Sequence, residues 1–301
     1  MGTPQTPGET AAGHRHRLAL ALAMATAVLV AEVVGAVVAG SLALAADAGH
    51  MFSDVVALSL ALAALTASRR EASSRSTFGL YRLEIFAAAL NAVILLGVAA
   101  WVSFAAVGRL QHPPAVDAPV MLGVGLLGLV ANSVTLRWLQ PAQGKSLNVR
   151  AAYLEVLGDL LGSAGVVVAA IAILTTGYLV ADPAISLLVA MLIVPRTWLL
   201  LREAVNILLE STPRGLDLGF VRAHIGAVEG VVEVHDLHIW TITSGRPVMS
   251  AHVVLADEWL ARCGETLDRL QQCLAEHFDV EHCTFQLEPV GHRAHEEPTH
   301  R

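Results

Sequence analysis

Six apolar segments, near residues 18–39, 42–68, 83–107, 116–138, 148–174 and 178–200, constrain this chain more than any other feature. Each is about long enough to cross the roughly 30 Å hydrocarbon core of a bilayer as a helix. Composition agrees, since 55% of the 301 residues are hydrophobic and only 15% are charged. A soluble domain of this size carries about a quarter charged residues. Arg15 and Arg17 precede the first segment as they would in a signal peptide. No small-residue cleavage site breaks the run that follows, so it reads as a first span. Only Gly40-Ser41 separates the first two segments, which predicts a tight helical hairpin.

The basic residues orient these spans. In a six-span topology Arg15, Arg17, Arg69, Arg70, Arg75, Arg82, Arg137, Lys145, Arg150, Arg196 and Arg202 fall on one side, and Arg109 alone on the other. That asymmetry places both termini in the cytoplasm of a multi-pass protein of the inner or plasma membrane. Cys263, Cys273 and Cys283 all lie in the polar last third. An odd number without an evident pairing fits a reducing, cytosolic compartment. The net charge of -7 gives no footprint for a nucleic-acid partner.

Past Glu210-Ser-Thr-Pro213 the pattern changes. A helix is expected at 217–228, a strand at 231–242, a turn at Ser244-Gly245 and a strand at 247–255. A helix at 257–277 and a strand at 281–288 complete an α-β-β-α-β order. The fold class is thus an all-α, six-helix transmembrane domain (17–207) with a small cytoplasmic α+β domain (208–290). Residues 1–16 and 291–301 read as disordered tails.

Few ionisable residues lie deep in the spans: Glu32 in the first, Asp47, His50 and Asp54 in the second, Glu155 and Asp159 in the fifth. Each costs several kcal/mol in hydrocarbon unless it faces a cavity, a partner or an ion. His50 and Asp54 are four residues apart, one turn along one helical face, and Glu155 and Asp159 repeat that spacing. Two such pairs on facing helices can close a four-coordinate divalent-metal site. Gly158 and Gly162 form a small-residue step beside them that admits a neighbouring helix. Asp47 and Glu32 form a second tier near this site.

Several ordered stretches carry a resemblance: Ser41-Leu-Ala-Leu-Ala-Ala-Asp47-Ala-Gly-His50-Met-Phe-Ser-Asp54, Thr77-Phe-Gly-Leu-Tyr-Arg82-Leu-Glu84, Gly158-Asp159, Leu208-Leu-Glu210-Ser-Thr-Pro213 and Val234-His235-Asp236-Leu-His238-Ile-Trp240. Between about Leu18 and Pro289 the chain resembles the cation diffusion facilitators, in particular their zinc-exporting branch. The resemblance implies a homodimeric antiporter that exports divalent metal, Zn2+ first, in exchange for protons, with a cytoplasmic domain of ferredoxin- or metallochaperone-like order. It maps the transport site onto His50, Asp54, Glu155 and Asp159, the residues that spacing selects.

Glu155 departs from the branch, which carries histidine there, so the alternative is a broader or different metal range (Cd2+, Co2+, Mn2+ or Fe2+). The resemblance further implies a regulatory metal site on the strands at His235 and His252. Gln286 and Glu288 stand there where a histidine and an aspartate are usual, with His282 and Cys283 as substitutes. It also implies an interlock between Arg82 and Glu210 near the dimer interface. The Gln140–Arg150 loop has no histidine to collect metal, a role left to His14 and His16. Two rival classes are an intramembrane metalloenzyme and a membrane-tethered metal sensor. Against the first, the chain has no His-Glu-x-x-His and no nucleophile elbow. Against the second, inert anchors have no use for four ligands deep in the spans.

Overall fold

The computed structural model describes residues 7–67, 77–140, 147–243, 245–278, 280 and 282–295. Arg69, Arg70, Arg75, Lys145, Ser244 and His300 lie outside the described residues, as do the side chains of His14, Arg15, His16, Arg17 and Arg150. The chain forms two compact units, one of Met1–Gly79 with Ala87–Arg202, the other of Leu80–Phe86 with Glu203–Arg301.

The first unit is helical, built from α1 (Pro7–Ala39), α2 (Leu42–Ala67), α3 (Tyr81–Gln111), α4 (Ala118–Leu139), α5 (Leu147–Thr176) and α6 (Ala181–Leu208), except that the first residues of α3, through Phe86, and the last of α6, from Glu203, belong to the second unit. Among the described residues, α1 and α3 to α6 are long and apolar enough to cross a membrane. α2 has 26 residues, about 39 Å of helix at 1.5 Å per residue. The α1 helix starts at Pro7, inside the segment expected to be a tail, and proline suits the first turn of a helix. α6 runs on to Leu208, so Arg196 is an interior residue of that helix and not an end charge. Outward-facing side chains are large and apolar, with Phe104 84% and Trp138 72% exposed, as a lipid-facing surface requires.

The α1–α2 hairpin is as tight as the sequence implies. Gly40 turns the chain at φ +64°, a conformation glycine adopts without strain. α2 then begins under an anchor that the sequence does not reveal. Asp182, at the start of α6, accepts hydrogen bonds from Ser41 Oγ (2.6 Å), Leu42 N (2.9 Å) and Ala43 N (3.1 Å). A buried carboxylate at a helix N-terminus satisfies otherwise orphaned N–H groups and meets the positive end of the dipole. Arg109 sits 3.7 Å from Asp182 and donates to Gly40 O (2.8 Å), which gives that solitary base its role.

Two apolar clusters hold the helices together. Ala39, Ala43, Leu44, Met121, Val166 and Ala170 join α1, α2, α4 and α5. Leu42, Ala46, Leu95, Val102 and Ala190 join α2, α3 and α6.

The second unit has the expected α-β-β-α-β order: α7 (Leu218–Gly226), β1 (Val231–Thr243), β2 (Arg246–Leu255), α8 (Cys263–Phe278) and β3 (His282–Pro289). Asp217 caps α7 through Gly219 N (2.7 Å) and Phe220 N (3.3 Å). The sheet order is β1-β2-β3, β2 antiparallel to β1 and parallel to β3. Met249, Leu255, Leu270 and Leu274 are at its core. The helix expected from 257 starts at Cys263, with a 3-10 turn over Asp257–Arg262 before it. That turn places the Trp259 ring on Gly230, where a Cβ would lie 2.5 Å from the ring. A second 3-10 turn, at His292–His295, extends past β3 into the expected tail.

Candidate metal centre

His50 and Asp54 lie one turn apart on α2, and Asp159 faces them from α5. His50 Nε2 is 2.6 Å from Asp159 Oδ1. One ligand atom from each of the three lies within 4.8 Å of the others, close enough for one ion. His50 Nδ1 is buried without a hydrogen-bond partner among the described residues. One imidazole and two carboxylates suit zinc or another borderline dication.

Glu155 is not part of this group. Its carboxylate pairs with Arg196 of α6, 41 residues along the chain. The i, i+4 spacing from Asp159 put Glu155 near the right face, but spacing carries no information about a partner on another helix. Arg196 is the residue that sequence reasoning missed. The available signal was an arginine inside an apolar helix directly after Pro195, where a charge demands a partner.

The second tier lies next to the centre. Asp47 accepts from Ser163 Oγ (3.1 Å), which in turn accepts from Asn132 Nδ2 (3.3 Å). Gly162 is the close-approach residue: a Cβ there would lie 3.1 Å from Asp47 Oδ1. Gly158 has open space in place of a Cβ, so only one glycine of the expected step serves the α2–α5 contact. Glu32 is 1% exposed, and its Oε2 has no hydrogen-bond partner among the described residues.

The cytoplasmic unit assembles a second group of His235, His252 and Glu288, whose ligand atoms lie within 4.8 Å of one another. Strand register brings them together, since His235 faces His252 across β1–β2, and Glu288 pairs with Val254 across β2–β3. His252 Nδ1 is 2.8 Å and His235 Nε2 3.5 Å from the Glu288 carboxylate. That carboxylate is 1% exposed and also accepts from Gln286 Nε2 at 2.9 Å. A register shift after His235, with Asp236 at φ 47°, brings the Asp236 carboxylate 3.7 Å from His252 and 3.0 Å from His238. His282 is not in the group, because it stands opposite Val248, four positions from His252, about 13 Å along the strand. Cys283 is beside His282, and burial pushes its thiol up, away from the thiolate that binds metal.

Arg82 and Glu210, both in the second unit, are 2.5 Å apart. Glu210 holds φ 57°, a left-handed conformation that usually selects glycine after a helix. A glutamate there costs on the order of 1 kcal/mol of backbone strain. Its side chain is the evident return.

Residues 18–209 match the Cation efflux transmembrane domain, and residues 213–290 match the Cation efflux protein, cytoplasmic domain. The chain is 46% identical over 276 residues to the metal cation efflux system protein CzcD of Cupriavidus metallidurans, covering 92% of this chain and 87% of that protein. It is 40% identical over 263 residues to the zinc transporter ZitB of Escherichia coli, covering 86% and 83% of the two chains. It is also 36% identical over 290 residues to the cadmium, cobalt and zinc/H(+)-K(+) antiporter of Bacillus subtilis, covering 93% of each. Through both of its parts the chain belongs to the cation efflux family, and it is a multi-pass membrane transporter, not an enzyme.

Proposed function

We propose that this chain exports divalent metal from the cytosol, zinc foremost, by proton antiport, as a homodimer in the inner or plasma membrane with both termini cytoplasmic. The observation that carries the reading is the group of His50, Asp54 and Asp159 inside the helical unit. Ionised acids are expensive among apolar helices unless a cation neutralises them. A dication and protons compete for the same atoms, so loading one from either side releases the other. Helix rocking around a central site supplies alternating access. The names of the relatives, which include zinc, cadmium, cobalt and H(+), support the substrate class and the coupling. The bias of basic residues toward one side supports the orientation, and the family match of residues 213–290 supports a cytoplasmic dimerisation domain at 208–290 after a transport domain at 17–207.

Glu155 joins the transport site as a ligand once it leaves Arg196, completing four with His50, Asp54 and Asp159. An oxygen-rich set also favours a second reading, a range reaching cadmium, cobalt, manganese or iron. His235, His252 and Glu288 act as a regulatory metal site, and Arg82 with Glu210 braces the chain at the membrane edge beside the dimer interface.

The experiment is metal uptake by sealed, everted vesicles under an imposed pH gradient, with zinc, cadmium, cobalt, manganese and iron in competition. Zinc uptake that collapses with the gradient is expected. Metal binding with no uptake in wild-type vesicles would favour a membrane-tethered sensor instead.

A further inference from the structure

Arg196 is a full charge inside a helix of the membrane unit, in direct contact with a residue one turn from Asp159. A guanidinium there cannot shed its proton, so it must be held by an acid, and Glu155 is that acid. The pair adjoins the metal centre, since Glu155 stands one helical turn before Asp159 on α5. Glu155 and Arg196 are each about two-fifths exposed, at 38% and 40%, whereas the Asp159 side chain is 6% exposed. The pair is therefore less closely packed than the buried acid. Pro195 precedes Arg196 inside α6. It removes one backbone N–H from the helix ladder and leaves that turn less tightly held.

Building on the export reading, we propose that Arg196 is the resident counter-cation of the transport site: it holds Glu155 off the His50–Asp54–Asp159 group and yields it to the incoming dication, so that Arg196 sets how tightly metal is held. The charge count gives this a purpose. Ionised Asp54, Asp159 and Glu155 carry a formal charge of -3, and Arg196 brings the set to -2, which one dication cancels. Without Arg196 the loaded site keeps a net negative charge among apolar helices, which grips metal harder and resists release. Arg196 thus favours turnover over affinity, and it matches the site to a charge of two rather than one or three. It is a positioning residue, acting through Glu155 without touching metal.

The test is the kinetics of zinc uptake in sealed vesicles for the wild type, Arg196→Gln, Glu155→Gln, the double variant and Arg196→Lys. Arg196→Gln is expected to lower KM for zinc about tenfold, the scale on which partners of a ligand act on metal affinity, and to slow turnover. In the Glu155→Gln background the same change should have a much smaller effect, because Arg196 acts chiefly through Glu155. Arg196→Lys should keep KM and turnover near the wild type. Equal effects of Arg196→Gln in both backgrounds overturn the proposal, as does an unchanged KM and turnover. Should Arg196→Gln fail to accumulate as a folded protein, the double variant, which leaves no unpaired Glu155 charge, should still accumulate. Loss of both makes Arg196 structural and also overturns the proposal. Absence of uptake by the wild type refutes the export reading itself, a distinct result.

Discussion

Removing the carboxylate of Asp182 is expected to loosen the helix that carries His50 and Asp54. Asp182 is 0% exposed and accepts three hydrogen bonds from the first turn of α2 and its cap, with Arg109 close by. A hydrogen bond to an ionised acceptor contributes about 1.5–3 kcal/mol, but these three share one acceptor group and do not add. The closer guide is the cost of breaking a buried charge pair, about 3–5 kcal/mol. For Asp182→Ala that cost falls on Arg109 and on the two freed N–H groups of Leu42 and Ala43. On a helical unit of this size it lowers the melting temperature on the order of 10 °C. His50 lies about 12 Å further along α2, so fraying of the first turn reaches the metal centre only in part. Asp182→Asn keeps one acceptor oxygen and should lose less than half as much. Thermal melting of the detergent-solubilised full chain, followed by helical circular dichroism, measures both variants. Asp182→Ala melting within about 2 °C of the wild type would refute the anchoring argument.

Three more expectations come from the cytoplasmic unit. His235→Ala with His252→Ala removes both imidazoles of the strand group, so metal-induced stabilisation of the full chain should fall by at least about 1.4 kcal/mol, tenfold in affinity, while vesicle uptake persists; unchanged calorimetric binding would make the two histidines structural. Glu210→Gly relieves a left-handed glutamate and removes an exposed ion pair of small worth, so thermal stability should stay level or rise by about 1 kcal/mol while transport falls; a drop in stability refutes the strain argument. Burial raises the Cys283 thiol, and burial followed by the charge of Glu276 raises that of Cys273. The thiolate is the reactive form, so alkylation of both at pH 8 should be slower than that of a free cysteine and should need a higher pH to reach the same rate. Peptide mapping by mass spectrometry checks this, and fast labelling at pH 8 contradicts it.

What the sequence revealed of the site follows from which interactions are local. His50 and Asp54 were legible because one helical turn fixes their relation, and Asp159 because an acid in an apolar helix needs a reason to be there. Glu155 had the same spacing, yet its partner comes from α6, and no periodicity on α5 encodes that contact. Asp182 looked like an ordinary charge at a helix end for a similar reason, since its bonds cross to Ser41, Leu42 and Ala43 on another helix. In the cytoplasmic unit the alternation of residues located the strands. Register, which seats His235 opposite His252 and leaves His282 at the other end of β3, is a tertiary property. The 3-10 turn at Asp257–Arg262 seats Trp259 on Gly230, again a contact between distant residues.

The central claim is that metal crosses the membrane on His50, Asp54 and Asp159. The most direct measurement is zinc flux in proteoliposomes holding purified Asp159→Asn, with proton movement recorded in the same vesicles by a pH-sensitive dye. Asparagine keeps the size of the side chain and removes the charge 2.6 Å from His50 Nε2. The account predicts an inserted, folded protein in which zinc flux and the accompanying proton flux are lost together. Wild-type zinc flux in Asp159→Asn, or proton flux that persists without zinc, would contradict it.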